Sequence, residues 1–165
     1  MCIRDRLNID DEVQQQEDKA DPFRVFYSLL LPLENVKQSP KYHPEGDALY
    51  HSLQVYDLAC DRLPYDEEFL LAALLHDVGK GVDRHDHVYA GLEALDGFIT
   101  ERTAWLIEHH MLAHQLHDGT IGARARRRLK ENENYDDLVL LGECDRGGRC
   151  VGVMTTELEL SLIHI

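Results

Sequence analysis

The run Leu74-Leu75-His76-Asp77-Val78-Gly79-Lys80 sets an imidazole beside a carboxylate at the end of an apolar stretch. An ionised carboxylate in such surroundings is costly unless a cation or hydrogen bonds offset it. A divalent metal would partner both side chains, because imidazole suits transition metals and a carboxylate can ligate one ion or bridge two. The alternative is a hydrogen-bonded core histidine next to an Asp77–Lys80 salt bridge. Two more donors of matching type are His51, on an otherwise apolar-faced segment, and Asp145, in Glu143-Cys144-Asp145-Arg146. Alone, they read as a core histidine and a helix cap. Together, His51, His76, Asp77 and Asp145 form an N2O2 set from three segments. His87 and the His109-His110 pair offer donors for a second ion. On a helix, His110 shares a face with Leu106, Ala113 and His114, whereas His109 falls beside Trp105 and Leu112. That pattern favours His110 as the inward residue and leaves His109 open.

Composition frames these donors. Of the ten histidines in 165 residues, nine fall between His43 and His117, a clustering that needs explaining. Acidic residues number 31 and basic ones 17, a net charge of −14, which argues against a general binder of nucleic acid or anionic membrane. At 44% hydrophobic and 29% charged, the chain is not a disordered one. No apolar run approaches the ~20 residues of a membrane span, and residues 1–11 lack the apolar core of a secretory signal. Cys2, Cys60, Cys144 and Cys150 show no Cys-x-x-Cys pairing and read as free thiols of a cytoplasmic protein. Arg124, Arg126, Arg127, Arg128 and Lys130 form a basic run. It reads as a solvated helix face paired with nearby acids, and leaves RNA binding as the alternative.

The elements that must hold the donors are helical. Phe23, Phe26, Tyr27, Leu30 and Leu31 recur at helical spacing until Pro32. Asp47 caps a helix carrying Leu49, Leu53, Tyr56 and Ala59. Pro64 and Asp66 open an all-round apolar helix over 69–78, stopped by Gly79 and suited to the centre of the core. Further helices are predicted over 86–98, with Val88, Leu92 and Leu95 as the inner face, over 101–116 behind Thr100, and over 123–131 and 135–144. Only 151–154 hints at a strand. The expected organisation is an acidic, mobile segment over 1–20, an all-α domain over 21–154 and a tail over 155–165. The first six and last six residues resemble translated sequencing-adapter sequence, so Cys2 and His164 are given no functional weight.

The order His51, His76-Asp77, Asp145 resembles the HD superfamily of metal-dependent phosphohydrolases over about residues 40–150. The segments His43-Pro44-Glu45-Gly46-Asp47, His87-x-x-x-Gly91 and Asp145-x-x-Gly148-Arg149 look like the HD domain that accompanies bacterial tRNA nucleotidyltransferases. The resemblance implies an all-α bundle around a buried metal site, with ligands at His51, His76, Asp77 and Asp145. A second ion would add His87 and His110, with Asp77 bridging. It also implies a lysine near the substrate phosphate at Lys80. The stretch of likeness excludes a nucleotidyltransferase head, so CCA addition is not implied. The expected reaction is hydrolysis of a phosphomonoester or phosphodiester, of a nucleotide or a cyclic or 2′-phosphate. One or two divalent ions (Mn, Fe, Ni, Co or Mg) would assist, with Asp77 and Lys80 as catalytic residues and Arg149 as a further phosphate-binding candidate. His85, His109 and His114 qualify as general acids by type only and read as solvated surface residues. The alternatives are a di-iron oxygenase on a similar scaffold, and a regulatory domain or fragment of a tRNA-processing enzyme.

Overall fold

The helices start where a side chain can accept the backbone N–H groups that a first turn leaves unpaired. The carboxylates of Asp21, Asp47, Asp66 and Asp86 and the hydroxyl of Thr100 accept from Phe23, Tyr50, Phe69, Tyr89 and Thr103 N–H respectively. These caps open α1 (Pro22–Leu30), α2 (Ala48–Arg62), α3 (Glu67–Leu75), α4 (His87–Leu95) and α5 (Glu101–Asp118). The helices α6 (Ala123–Lys130), α7 (Tyr135–Gly147) and α8 (Leu158–His164) complete the set. The computed structural model describes residues 20–165, so all but the last residue of the expected N-terminal segment lies outside the described part. Among the described residues there is no strand, only an isolated bridge between Lys37 and Asp47. The all-α expectation holds.

The apolar α3 is the centre. Phe69, Leu70, Ala72, Ala73, Leu74 and Leu75 are all buried, and α2, α5 and α7 pack around them. Each large side chain so buried contributes about 1.5–3 kcal/mol. Arg102, in the first turn of α5, ties the bundle at one end. Its guanidinium donates to both oxygens of Asp66 at 2.7 Å, to Glu68 at 3.1 Å and to Asp137 at 2.9 Å, joining the starts of α3, α5 and α7.

Several boundaries differ from the periodic reading. Pro32 does not end its segment. It sits in the first turn of a 3-10 helix, Leu31–Asn35, where its missing N–H is harmless. The central helix stops at Leu75, not at 78, and the chain rewinds as a tighter 3-10 turn over Val78–Gly81. His76 and Asp77 therefore lie at the junction. The last predicted core helix runs on to Gly147, which puts Asp145 inside it. Residues 151–154 form no strand, because the backbone here bonds to α2 side chains instead: Gln54 grips Cys150 through both N–H and carbonyl, and Tyr50 donates to the Val153 carbonyl. The C-terminal stretch carries α8, which packs against α1 and buries Leu158 and Leu162.

The inner face of α4 also departs from expectation. Ala90, Gly91 and Leu95 are buried, whereas Val88 and Leu92 are only half-buried. The small residues let α4 press its backbone onto the Val78–Gly81 turn. A methyl group on Gly79 would lie 1.8 Å from the His87 carbonyl oxygen and 2.6 Å from the Gly91 nitrogen. Both neighbours are backbone and cannot swing away. Gly79→Ala should cost about 3 kcal/mol in chemical denaturation, while Gly91→Ala, whose nearest such contact is 3.3 Å, should cost clearly less.

Candidate metal centre

Helix ends and loops from across the chain deliver their donors to one buried cluster. His51 comes from α2, His76 and Asp77 from the α3 junction, His87 from the first residue of α4, His110 from α5 and Asp145 from α7. Their rings form a connected chain. Centroids are 5.1 Å apart for His43–His51, 5.4 Å for His51–His76, 5.2 Å for His76–His110 and 5.4 Å for His87–His110. Donor atoms of His51, His76 and Asp77 lie within 4.8 Å of one another, as do those of Asp77, His87 and His110. Asp77 is common to both groups. Asp145 adjoins the first, with Oδ1 3.1 Å from His51 Nε2 and Oδ2 4.0 Å from His76 Nε2.

The hydrogen bonds behind the rings decide which nitrogen faces inward. His76 Nδ1 donates to the Ala73 carbonyl at 2.9 Å, and His110 Nδ1 to the Ile107 carbonyl at 2.7 Å. His51 Nδ1 lies 2.9 Å from the Gly148 carbonyl and 3.0 Å from Glu45 Oε1, so it too must donate. Each Nε2 is thus left to face carboxylate oxygens or another imidazole. The Nε2 atoms of His51 and His76 are buried without a hydrogen-bond partner. A lone pair facing a carboxylate calls for a proton or a metal ion between them, and this donor set fits a divalent ion.

The local charges agree. Burial opposes ionisation of Asp77, yet His76 and Lys80 hold its carboxyl well below the usual carboxylate range. Burial likewise opposes ionisation of Asp145, and the hydrogen bond from His114 together with the adjacent rings of His51 and His76 outweighs it. Burial disfavours a charge on His51, but Asp145 and Glu45 push its pKa up to about 9. Burial and the neighbouring His76 push His110 down to about 4. The salt bridge that offered the simpler account is also present: Lys80 Nζ lies 2.6 Å from Asp77 Oδ2 and 2.8 Å from Gln38 Oε1. It coexists with the convergence of donors and does not replace it.

A cleft of about 360 Å³ opens onto the cluster, and Asp77, Asp145, His87 and His110 share its wall with Lys80 and Arg149. His109 stays outside, stacked on Trp105 at 4.5 Å with Nδ1 donating to the Trp105 carbonyl. Arg149 donates to Asp145 Oδ1 at 3.3 Å. His85 is exposed, but His114 is not a free surface residue: it lines the cleft with Nε2 2.7 Å from Asp145 Oδ2. Its spacing of four from His110 was the available signal. Glu45 is the other residue that spacing alone left without a role. Its side chain is fully enclosed and accepts from both His43 at 2.9 Å and His51 at 3.0 Å.

An all-helical bundle with a His/Asp cluster at the junction of its central helix defines a class of helical proteins that can hold divalent ions. The HD domain family matches residues 48–146, and the chain belongs to that family. It is similar to the "Multifunctional CCA protein" of Hahella chejuensis, 42% identical over 90 residues, covering 50% of this chain and 21% of that protein. Proteins of the same name from Acidovorax sp. (strain JS42) and Halorhodospira halophila are 33% identical over 149 residues and 34% over 153. Those matches cover 74% and 73% of this chain, and 34% and 35% of the relatives. The chain thus spans about a third or less of the length of these relatives. Among the described residues no helix is long and apolar enough to cross a membrane.

A ligating histidine must be neutral, so an ion that engages His51 must displace its proton at any pH below about 9. Calorimetric titration with Mn²⁺ at pH 7.5, in buffers of different ionisation enthalpy, should show about one proton released per ion bound. Apparent affinity should rise with pH up to about 9. Proton-neutral binding would remove His51 from the ligand set.

Proposed function

We propose that the chain is a metal-dependent phosphohydrolase acting on a phosphomonoester or phosphodiester, of a nucleotide or a cyclic or 2′-phosphate. The observation that carries this reading is the cleft itself, where acids able to hold cations share a wall with Lys80 and Arg149. In a chain of net charge −14, such a concentration of cationic groups favours an anionic ligand. His51, His76, Asp77 and Asp145 would hold one divalent ion, and Asp77, His87 and His110 a second. Mn, Fe, Ni and Co suit the imidazole-rich set, while Mg would favour the carboxylates. A bound divalent ion supplies Lewis-acid polarisation of a phosphoryl oxygen and acidifies water.

The chain's own residues do the rest. Lys80 offsets negative charge that develops on the phosphoryl group, as a point cation held in place by Gln38. Arg149 presents a planar guanidinium beside Asp145, suited to phosphate oxygens. His51 and His76 are oriented by their Nδ1 hydrogen bonds and do not have to reorganise.

Asp77 belongs to both donor groups, a two-ion layout that a di-iron oxygenase would also use. Iron–oxo absorption with oxygen consumption would favour that reading, and phosphate release from nucleotides the first. The length of the relatives also supports a role as the HD part of a larger tRNA-processing protein.

Two substitutions test the assignment. Asp77→Ala should abolish metal content and phosphate release together, and full metal content in that variant would sink it. Lys80→Ala should retain metal and lower kcat by about 10²-fold, measured over a panel of nucleotides and cyclic nucleotides with Mn²⁺.

A further inference from the structure

The five basic residues of α6 are solvated as expected, but among the described residues they are not paired with acids. Arg124, Arg126, Arg127, Arg128 and Lys130 are all exposed. Among the described residues, no carboxylate lies within 4.0 Å of any of them. Outside α6 and apart from Arg146, the arginines are engaged among the described residues: Arg24 with Asp21, Arg62 with Glu143, Arg102 with three acids, and Arg149 with Asp145. Arg84 donates to the Lys37 carbonyl. Five like charges on one eight-residue helix repel each other, over a length of about 12 Å. The net charge is −14, yet among the described residues no acid is set within 4.0 Å of a basic group of this helix.

The helix borders a groove of about 350 Å³ that it forms with α5 and α7. Arg126 and Lys130, one turn apart, enter the lining together with Arg146 of α7. Arg146 Nη1 is buried there without a hydrogen-bond partner, a donor awaiting an acceptor. The only acid in the lining, Glu143, is turned to Arg62 at 3.4 Å. The remaining lining is His117 with apolar and aromatic side chains, including Leu116, Val139 and Tyr135.

We propose that α6 and this groove bind the phosphate backbone of a polynucleotide. Guanidinium forks match phosphate oxygens in pairs, and a run of them matches a chain of regularly spaced charges. The aromatic and apolar lining suits a base or ribose next to those phosphates, which an acidic peptide does not supply. The helix pair α5–α7 carries His114 and Asp145 to the metal cleft and Leu116 and Arg146 to the groove. A strand held by α6 therefore lies alongside the cleft on the same two helices.

The experiment is fluorescence anisotropy with a short fluorescein-labelled single-stranded RNA and the matching DNA, with EDTA present so that no hydrolysis intervenes. The unaltered chain should bind at low salt. Arg126→Gln with Lys130→Gln should weaken binding at least tenfold and flatten the dependence of log K on log salt by about 0.7 per lost contact. The melting temperature and phosphate release from a mononucleotide should be unchanged, so this test and that of the hydrolytic reading fail separately. Arg24→Gln with Lys37→Gln, which removes the same charge elsewhere, should leave binding intact. Equal affinity for RNA and DNA supports backbone recognition, and tighter RNA binding assigns a contact to the ribose as well. The proposal is overturned by absence of binding in the unaltered chain, by equal loss in the two double variants, or by polyglutamate displacing the RNA as well as unlabelled RNA does.

Discussion

Three carboxylates, Glu45, Asp77 and Asp145, are enclosed in the protein with side-chain exposures of 0%, 3% and 5%. Isolated charges at such depth would be prohibitive, so the fold must bring positive partners to them. The imidazole of His51, with its raised pKa, the rings of His43 and His114 bonded to Glu45 and Asp145, the Lys80 ammonium and the Arg149 guanidinium answer that demand. The apolar α3 both creates the problem and makes the solution effective, because its low-polarity surroundings strengthen each attraction. Packing of α2, α5 and α7 around α3 is therefore also the assembly of the charge cluster. A bundle with the same apolar contacts and a displaced α4 would leave His87 away from Asp77.

Much of this was legible in the residues. The N-terminal caps at Asp21, Asp47, Asp66, Asp86 and Thr100 are local chemistry, and they mark the helix starts. Helix ends were harder. Gly79 looked like the stop of the central helix, whereas the chain leaves helical geometry at Asp77, with φ −108° and ψ 5°, to form the 3-10 turn. Gly147 and Gly148 end α7, yet the last apolar residue of the pattern, Cys144, comes a turn earlier. Periodicity registers where apolar residues cease, and Asp145 and Arg146 are polar but still helical.

The cluster was legible to the extent that its members are unusual. His76-Asp77 in an apolar run and the inward stripe of His110 stand out. Glu45 and Gln38 do not, because their meaning lies in partners 6 and 42 residues away, and His114, though on the stripe of His110, finds its partner 31 residues on. Nothing in a polar loop says that one of its carboxylates will end fully enclosed against the ring of His51. The basic run of α6 was visible at once, but its lack of acidic partners is a fact of three-dimensional placement.

The Nδ1 hydrogen bonds of His76 and His110 end on carbonyls three residues earlier in the chain, and that of His51 reaches the carbonyl of Gly148. Main-chain oxygens are present whatever the side chain. The orientation of the His76 and His110 rings is therefore largely insensitive to the side chain at Ala73 or Ile107, which hold their partners by backbone alone, whereas at Gly148 a Cβ would lie 2.6 Å from Val55 Cγ2. Genetic fragility of the ring geometry is concentrated at Glu45, whose carboxylate is the one side-chain acceptor behind His51. Substitution at Ala73 or Ile107 is thus less consequential than at the close backbone approaches of Gly79 and Gly148.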